Sequence, residues 1–472
     1  MLKRTKIVAT ISDKHCDVEF LQKLYEAGMN VVRLNTAHQN FDQARAVIDN
    51  VRKVSDKIAI LVDTKGPEIR TSSFGEELNV SKGDKIKLFG NPNGESKGDS
   101  LYVSYPKIVA EVSIGSCILI DDGDIEIIVI DKTEEYLHCQ VDNSGIIKLR
   151  KSINIPNVHI NLPSLTEKDV EFVKFAIENK LDFIAHSFVR KKEDVIEIKK
   201  ILEQFNSSIK IIAKIENQQG VDNIDEILDH TYGVMVARGD LGIEISAEKI
   251  PIIQRRIVKK CIESKKPVII ATQMLHTMIE HPRPTRAEIS DIANAIYQRV
   301  DAIMLSGETA YGAYPIEAVK IMTRVAQEVE VNIEPDPKQK LVRINNEITA
   351  TLARSAVRAC ANLPIKAIVI DTLSGRTGRY LAAFRGKIPV YVMCYKPQVM
   401  RQLALSYGVL AEYMEPRTTR DHFLADAMAI IEDQSKLQLE DLVLVIGGSF
   451  GPRDGASFME ISKVKNLVKN GK

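Results

Sequence analysis

Eight times along the chain a short β-branched run ends in polar residues and gives way to an amphipathic stretch. The runs are KIVATIS (6–12), NVVRLNT (30–36), IAILVDT (58–64), DFIAHSFV (182–189), IKIIAKIE (209–216), YGVMVARG (232–239), PVIIATQ (267–273) and DAIMLSGE (301–308). Short apolar runs bounded by turn residues read as buried strands, and a 3.6-residue apolar period reads as a helix packed on them. Helical patterns between the runs include DVEFLQKLYEAG, VDNIDEILDH and IPIIQRRIVKKCIESK. Eight strands alternating with helices are the parts of a closed parallel (β/α)8 TIM barrel, whose chemistry sits at the C-terminal strand ends. Those ends carry Arg33, Asn35, Asp63, Thr64, Lys214, Glu216, Arg238, Asp240, Thr272, Gln273, Ser306 and Glu308. So many polar groups on one rim exceed what packing requires.

The alternation breaks once, between Lys65 and about Pro163, where short strands and turn clusters such as NPNGESKGDS and DDGD replace it. This reads as an all-β domain inserted after the third barrel strand, placed to close over the rim as a lid and exclude water. After the eighth unit a polar connection, VNIEPDPKQK, leads to AIVIDT, PVYVMC, VLAEYM and LVLVIGG, strands separated by helical patterns. That region reads as an open α/β sheet. A chain of 472 residues exceeds one core, so several domains are expected. The boundaries drawn are 1–66 with 163–333 for the barrel, 67–162 for the β lid and 334–472 for the C-terminal α/β domain.

A formal net charge of +1 gives no bulk attraction to nucleic acid or membrane. The chain starts MLKRTKIVATIS, running into a strand without a signal peptide, and no apolar run is long enough to span a bilayer. Cys16, Cys117, Cys139, Cys261, Cys360 and Cys394 lack CxxC spacing, against a zinc site or a disulfide framework. A reducing cytoplasm is the expected location.

Within the rim, Lys214 and Glu216 are two apart in an extended run, so they share a face. Asp240 follows Arg238 and Gly239, and the glycine allows close backbone approach to an anion. A lysine, two hard oxygen ligands and an anion-accepting backbone are what phosphoryl transfer uses, because the enzyme chiefly positions the group and neutralises charge. A salt-bridged pair at a barrel rim is the plainer reading of the same residues. In the C-terminal region Thr372, Ser374, Gly375 and Thr377 open a helix beside Arg376, which suits either a phosphate or a capped helix. A second glycine-rich loop, VIGGSFGPRDGAS, follows the last of the four strands, and the basic tail SKVKNLVKNGK reads as a solvated end.

The segments TKIVATIS, AGMNVVRLNTAH, LVDTKGPEIRT, NLPSLTEKD, DFIAHSFVR, AKIENQQG, VMVARGDLGIE, ATQML, PTRAEISDIANA and DAIMLSGETAYGAYPIEAV resemble pyruvate kinase, in that family's order. The resemblance implies transfer of a phosphoryl group from phosphoenolpyruvate to ADP, giving pyruvate and ATP in the last step of glycolysis. It also implies two divalent ions, Mg²⁺ (or Mn²⁺), with K⁺, a homotetramer and a C-terminal effector domain, where the helix start at Thr372, Ser374, Gly375, Arg376 and Thr377 is expected to take a phosphorylated effector. By the same resemblance Lys214 and Arg33 act on the transferring phosphoryl group, and Glu216 with Asp240 holds Mg²⁺. Gly239, Asp240 and Thr272 cradle the substrate carboxylate, and Thr272 lies where enolpyruvate is protonated. His38, Arg70 and Lys151 are placed near the nucleotide. K⁺ falls to Asn35, Asp63 and Thr64, with Ala37 where the family has serine, so that Thr36 or water would have to complete the site. Glu68 is the residue type that accompanies K⁺ dependence, and an unpaired carboxylate there would repel an anionic substrate without the cation. His186 replaces a small apolar residue and reads as a satisfied histidine packed at the rim rather than a catalytic one. The helix begun by PTRAE is placed at a subunit interface.

Two other classes remain on the residues alone. A barrel lyase of the phosphoenolpyruvate and pyruvate-binding type would share the acidic metal pair but has no use for the lid or the lysine of KIEN. A non-catalytic sensor would be expected to have lost Lys214, Glu216 or Asp240.

Overall fold

The computed structural model describes residues 2–158, 160–336, 338–417, 419–434, 437–448 and 455–468. Eight parallel strands close into a barrel, in chain order Lys6–Thr10, Val31–Asn35, Ala59–Asp63, Phe183–His186, Lys210–Ile215, Gly233–Ala237, Val268–Ala271 and Ala302–Leu305. The seam pairs the first strand with the last, Lys6 with Ala302 through Ala9 with Leu305. Alternation of side chains explains why the runs are apolar throughout. Val8, Leu61, Phe183, Ile212, Met235 and Ile269 fill the lumen, while Ile7, Ile60, Ile184, Ile211 and Ile270 pack outward under the helices.

After Asp63 the chain leaves the barrel. Asp169, at the first turn of helix Glu167–Glu178, accepts the backbone N–H groups of Lys65 (2.9 Å) and Gly66 (3.4 Å), and its other oxygen accepts Thr166 N–H. Gly66 has φ 72°, and a Cβ there would lie 2.7 Å from the Phe188 ring, so glycine is required at this hinge. The inserted domain is a seven-stranded sheet from Ile69–Arg70 to Ser152–Asn154, antiparallel except for Lys85–Gly90 beside Ser100–Val103. It has its own core around Leu88, Val103, Ile118, Ile127 and Leu137 and one four-residue helix, Ile108–Glu111.

The C-terminal region forms a five-stranded sheet, four parallel strands (Ile365–Thr372, Val390–Cys394, Val409–Tyr413, Leu442–Gly447) and an antiparallel edge, Phe458–Lys463. The edge strand corrects the reading of the tail as a solvated end. Val464 and Leu467 are buried beneath the sheet because they repeat at helical spacing among the lysines. Lys469–Lys472 lie outside the described residues. This domain docks on the N-terminal ends of the barrel strands: Arg385 holds Asp301, Arg401 holds Asp182, Lys57 holds Glu412, and Lys6 Nζ donates to the Val409 carbonyl. No helix among the described residues is long and apolar enough to cross a membrane.

Candidate functional site

The opposite end of the barrel, where the strands finish, gathers charge. Lys214, near the end of strand Lys210–Ile215, places Nζ 2.9 Å from Glu216 Oε1, 3.0 Å from Asp63 Oδ1 and 2.7 Å from Ser187 Oγ. Asp63 ends the third strand and serves as a hub, its other oxygen accepting Arg33 Nε at 2.6 Å, while Arg33 Nη1 donates to Thr10 Oγ1. Asp63, Lys214 and Glu216 are all buried. Burial alone would strip the proton from Lys214, but the Asp63 and Glu216 carboxylates outweigh it and hold the amine above the ordinary lysine range. Burial also pushes the Asp63 carboxyl up, and Lys214 and Arg33 outweigh it, leaving Asp63 below its ordinary value.

Glu216 behaves differently. Burial and then the neighbouring Asp240 charge raise its pKa, and Lys214 and the Phe188 N–H, 2.6 Å from Oε2, only partly offset them. Counting Arg33 and Lys214 against Asp63, Glu216 and Asp240 leaves one negative charge in excess. That excess suits a divalent cation, for which Glu216 and Asp240 could serve as carboxylate donors. Among the described residues no group of three His, Cys, Asp or Glu side chains assembles as a complete cage. Two carboxylates with the rest of the shell left to substrate and water is the arrangement magnesium prefers.

Beside this cluster, Thr272 follows strand Val268–Ala271 with φ 68°, a left-handed conformation unusual for a β-branched residue. Arg238 fixes it there, donating to the Thr272 carbonyl (2.8 Å) and to Asp291 (2.8 Å). Thr272 Oγ1 accepts the Gly239 N–H at 2.8 Å. A Cβ at Gly239 would meet nothing nearer than Thr272 Oγ1 at 3.5 Å, so the chain itself does not demand glycine. The backbone there faces open space.

A cleft of about 410 Å³ opens over Glu216 and Asp240, roofed by Ile153, Asn154, Ile155 and Val158 of the inserted domain and walled by Arg190 and Asn217. Arg190 reaches the carbonyls of Ile160 and Leu162 and so ties the returning segment to the rim. Glu68 and Pro67 line the same cleft. Glu68 is paired with Arg70 (2.6 Å), which corrects the expectation of an unpaired carboxylate. Arg70 pairs across strands with Ser152, next to Lys151, whose Nζ lies 3.0 Å from Asp121. His38 is exposed on the turn after the second strand, and no hydrogen bond among the described residues joins it to Arg70 or Lys151.

The loop after the second strand puts Asn35 Oδ1 on the Ala37 N–H and the buried Thr36 hydroxyl on the Asp63 carbonyl, while Lys168 Nζ donates to the Thr36 carbonyl. Thr64 Oγ1 accepts the Ser187 N–H and donates to the Ala185 carbonyl. In the C-terminal domain, Thr372 ends its strand and its Oγ1 accepts the Gly375 N–H at 2.9 Å, shaping the turn into helix Arg376–Ala383. Gly375 has φ 78°, Ser374 and Arg376 are half-buried, and Thr377 is buried. Of the second glycine-rich loop, Ser449–Asp454 lie outside the described residues.

Sequence reasoning missed Ser187, which accepts from Lys214 and donates to the Thr64 carbonyl, and the Phe188 N–H that holds Glu216. It also missed Thr10, Lys168 and the Arg238–Asp291 pair. The only signal was the run FIAHSFV itself, where a polar residue interrupts the strand end.

The pyruvate kinase barrel-domain family profile matches residues 2–319, and the pyruvate kinase alpha/beta-domain profile matches residues 350–462. A pyruvate kinase of Borreliella burgdorferi is 46% identical over 474 residues, covering 99% of this chain and 98% of that protein. One from Geobacillus stearothermophilus is 41% identical over 487 residues, covering 100% of this chain and 82% of that protein. The crystal structure of a pyruvate kinase from Cryptosporidium parvum superposes with a TM-score of 0.92 at 34% identity, covering 98% of this chain and 96% of that one.

Proposed function

Because the chain belongs to the pyruvate kinase family, and so transfers a phosphoryl group from phosphoenolpyruvate to ADP in the last step of glycolysis, we propose that the rim cluster of Arg33, Asp63, Lys214, Glu216 and Asp240 carries that transfer. The observation behind this is Lys214 wedged between two buried carboxylates at a strand end. Held protonated there, the ammonium presents a fixed positive charge to the phosphoryl oxygens as the bond to the enol oxygen breaks and the ADP oxygen attacks. Arg33, oriented by Asp63 and Thr10, supplies a second charge on the same side.

The family's reaction needs a divalent metal and K⁺. Glu216 and Asp240 would hold the divalent ion, which when bound neutralises phosphoryl charge and orients its oxygens. The Gly239 and Asp240 amides with the Thr272 hydroxyl would take the substrate carboxylate, displacing the Gly239–Thr272 hydrogen bond. Thr272 is then beside the carbon that the enol must protonate once its phosphoryl group has left. Asn35, Asp63 and Thr64 would hold K⁺, with weakened affinity because Ala37 offers no hydroxyl and Thr36 is turned to the Asp63 carbonyl. His38, Arg70 and Lys151 would flank the nucleotide, and the inserted domain would close over it as a lid.

We further assign residues 67–162 to that lid, 334–472 to an effector domain and the remainder to the barrel. The effector, a phosphorylated molecule, would sit at Thr372, Ser374, Gly375, Arg376 and Thr377. The location proposed is the cytoplasm and the assembly a homotetramer; exposed Ile252 and Tyr297 on helices Ile250–Glu263 and Arg286–Tyr297 accord with a subunit interface. A coupled assay of pyruvate formation from phosphoenolpyruvate and ADP, with and without Mg²⁺, tests the reading. Turnover that is absent, or that does not respond to Mg²⁺, overturns it.

A further inference from the structure

Far from the catalytic rim, a cleft of about 350 Å³ lies between the underside of the barrel and the C-terminal domain. Barrel turns give it Lys265 and Lys266, which follow helix Ile250–Glu263, and the C-terminal domain gives it Arg343, Arg376 and Arg379. Asp229 is the one carboxylate in its lining, and that group already accepts from Arg343. Lys265, Lys266, Arg343 and Arg379 therefore face one committed anion among the described lining residues. The next carboxylate inward, Asp301, is likewise taken, by Arg385.

These cations repel one another. Burial, and then Arg379 and Arg343, push Lys265 down to about 8, and Lys266 is pushed down to about 8 by burial and by Arg379, Lys265 and Arg343. Backbone carbonyls satisfy part of the set, Thr231 for Lys266 and Ser374 for Arg379, without supplying opposite charge. Two aromatic faces complete the walls. Lys265 Nζ sits 4.7 Å from the Tyr380 ring centroid, and the Arg379 guanidinium sits 5.5 Å from that of Tyr232. Tyr380 is fixed by hydrogen bonds to Asn345 and Asn346, so that wall is rigid.

We propose that this interdomain cleft binds a phosphorylated small molecule, its phosphate held by Lys265, Lys266 and Arg379 and its remainder lying against Tyr232 and Tyr380. Arginine and lysine donors in a partly desolvated pocket match phosphate oxygens, and the volume suits a sugar phosphate or a mononucleotide. Such a ligand touches barrel and C-terminal domain at once, so binding stiffens the joint between them. The site adjoins the turn at Thr372–Thr377, but Lys265 and Lys266 come from the barrel, so it stands even if that turn binds nothing.

The test is a set of thermal-unfolding titrations of the full chain with inorganic phosphate, ribose 5-phosphate and AMP, at constant ionic strength, with ribose and chloride as controls. The catalytic cleft also accepts phosphates, so each titration is repeated on the double variant Lys265→Gln/Lys266→Gln, which leaves that cleft intact. At least one phosphate probe is expected to raise the wild-type midpoint through a component that the double variant weakens roughly 10- to 100-fold in affinity. Ser374→Ala, at the neighbouring turn, should keep the component that the double variant loses, whatever that turn itself binds. Equal titrations of wild type and double variant with every probe overturn the proposal, as does a response to ribose equal to that of ribose 5-phosphate. If the double variant fails to fold, Arg379→Gln carries the same comparison.

Discussion

Both ends of the barrel bury charged side chains, yet they do so to opposite effect. At two joints of the underside the charges are matched within the protein: Arg385 donates through both terminal nitrogens to Asp301, which also accepts the Tyr407 and Val268 N–H groups. Asp182 is held by Arg52, Arg401 and the Ile60 N–H. At the rim Asp63 is shared by two cations, Glu216 is left with an unfavourable proton affinity beside Asp240, and a cleft stands open above them. Closed pairs hold a joint, whereas an unbalanced cluster waits for a ligand to complete it. Charge burial alone does not distinguish a structural clasp from a site; the balance of partners does.

The sharpest way to break this contrast is to damage each end and read both stability and rate. Arg385→Met strands the Asp301 carboxylate in the core, which should lower stability by about 3 to 5 kcal/mol. Its kcat, measured at a temperature where the variant is folded, should stay near that of the parent. Chemical denaturation and steady-state kinetics on the same sample check both halves, and a collapse of kcat in folded protein would erase the distinction.

Lys214→Met reverses the pattern. Loss of one preorganised donor should cost roughly 3 to 4 kcal/mol in the transition state, a rate loss of about 10² to 10³ or more. The denaturation midpoint should fall by less than for Arg385→Met. More than about a tenth of wild-type kcat in a folded variant removes Lys214 from this role. Glu216→Ala and Asp240→Ala should in turn lose Mg²⁺ activation, and ordinary Mg²⁺ saturation by either would break the metal assignment.

His186 sharpens the comparison through acid. It lies buried just before Ser187, but neither ring nitrogen has a hydrogen-bond partner among the described residues, which corrects its reading as a satisfied histidine, and burial pushes its pKa from 6.5 down to about 4. Below pH 6.5 the unfolded chain takes up a proton that the folded chain refuses, so stability falls as pH drops, until the folded histidine also protonates near pH 4. The full loss is about 3 kcal/mol. Urea unfolding at pH 7.5 and 4.5 should show this loss in wild type and a shallower one in His186→Ala; equal slopes reject it.

The smallest effect concerns the monovalent cation. Ala37→Ser should lower the K⁺ concentration for half-activation by up to about tenfold, or about 1.4 kcal/mol. Full activity of the parent in buffer free of K⁺, Na⁺ and NH₄⁺ would defeat the K⁺ proposal. The Glu68–Arg70 pair already blunts the repulsion that would make the ion indispensable.

All eight barrel strands fall inside the runs picked out in the sequence, because a parallel strand buried on both faces must be apolar along its length. The adjacency of Lys214 and Glu216 was legible for a related reason, since two-residue spacing at a strand end fixes their shared side. What could not be read was anything set by distant pairing. Asp63 becomes a hub only when residues about 30 and 150 positions away in sequence meet it. The Phe188 amide that holds Glu216 depends on a left-handed turn (φ 54°) that no residue preference signals. Val464 and Leu467 were hidden by the lysines around them, which stay at the surface while the two apolar side chains turn under the sheet.

The seam of the barrel also sets an order of events during synthesis. Thr10 must find Leu305, 295 residues later. At translation speeds of 5 to 20 residues per second that wait is roughly 15 to 60 s. The inserted sheet, whose widest pairing joins Ile69 to Ile153, can fold on the emerging chain long before. A ribosome paused before Ala302 therefore carries at most an open seven-stranded barrel sheet, with the outer edges of Lys6–Thr10 and Val268–Ala271 unpaired, and it is this nascent form that chaperones have most reason to hold.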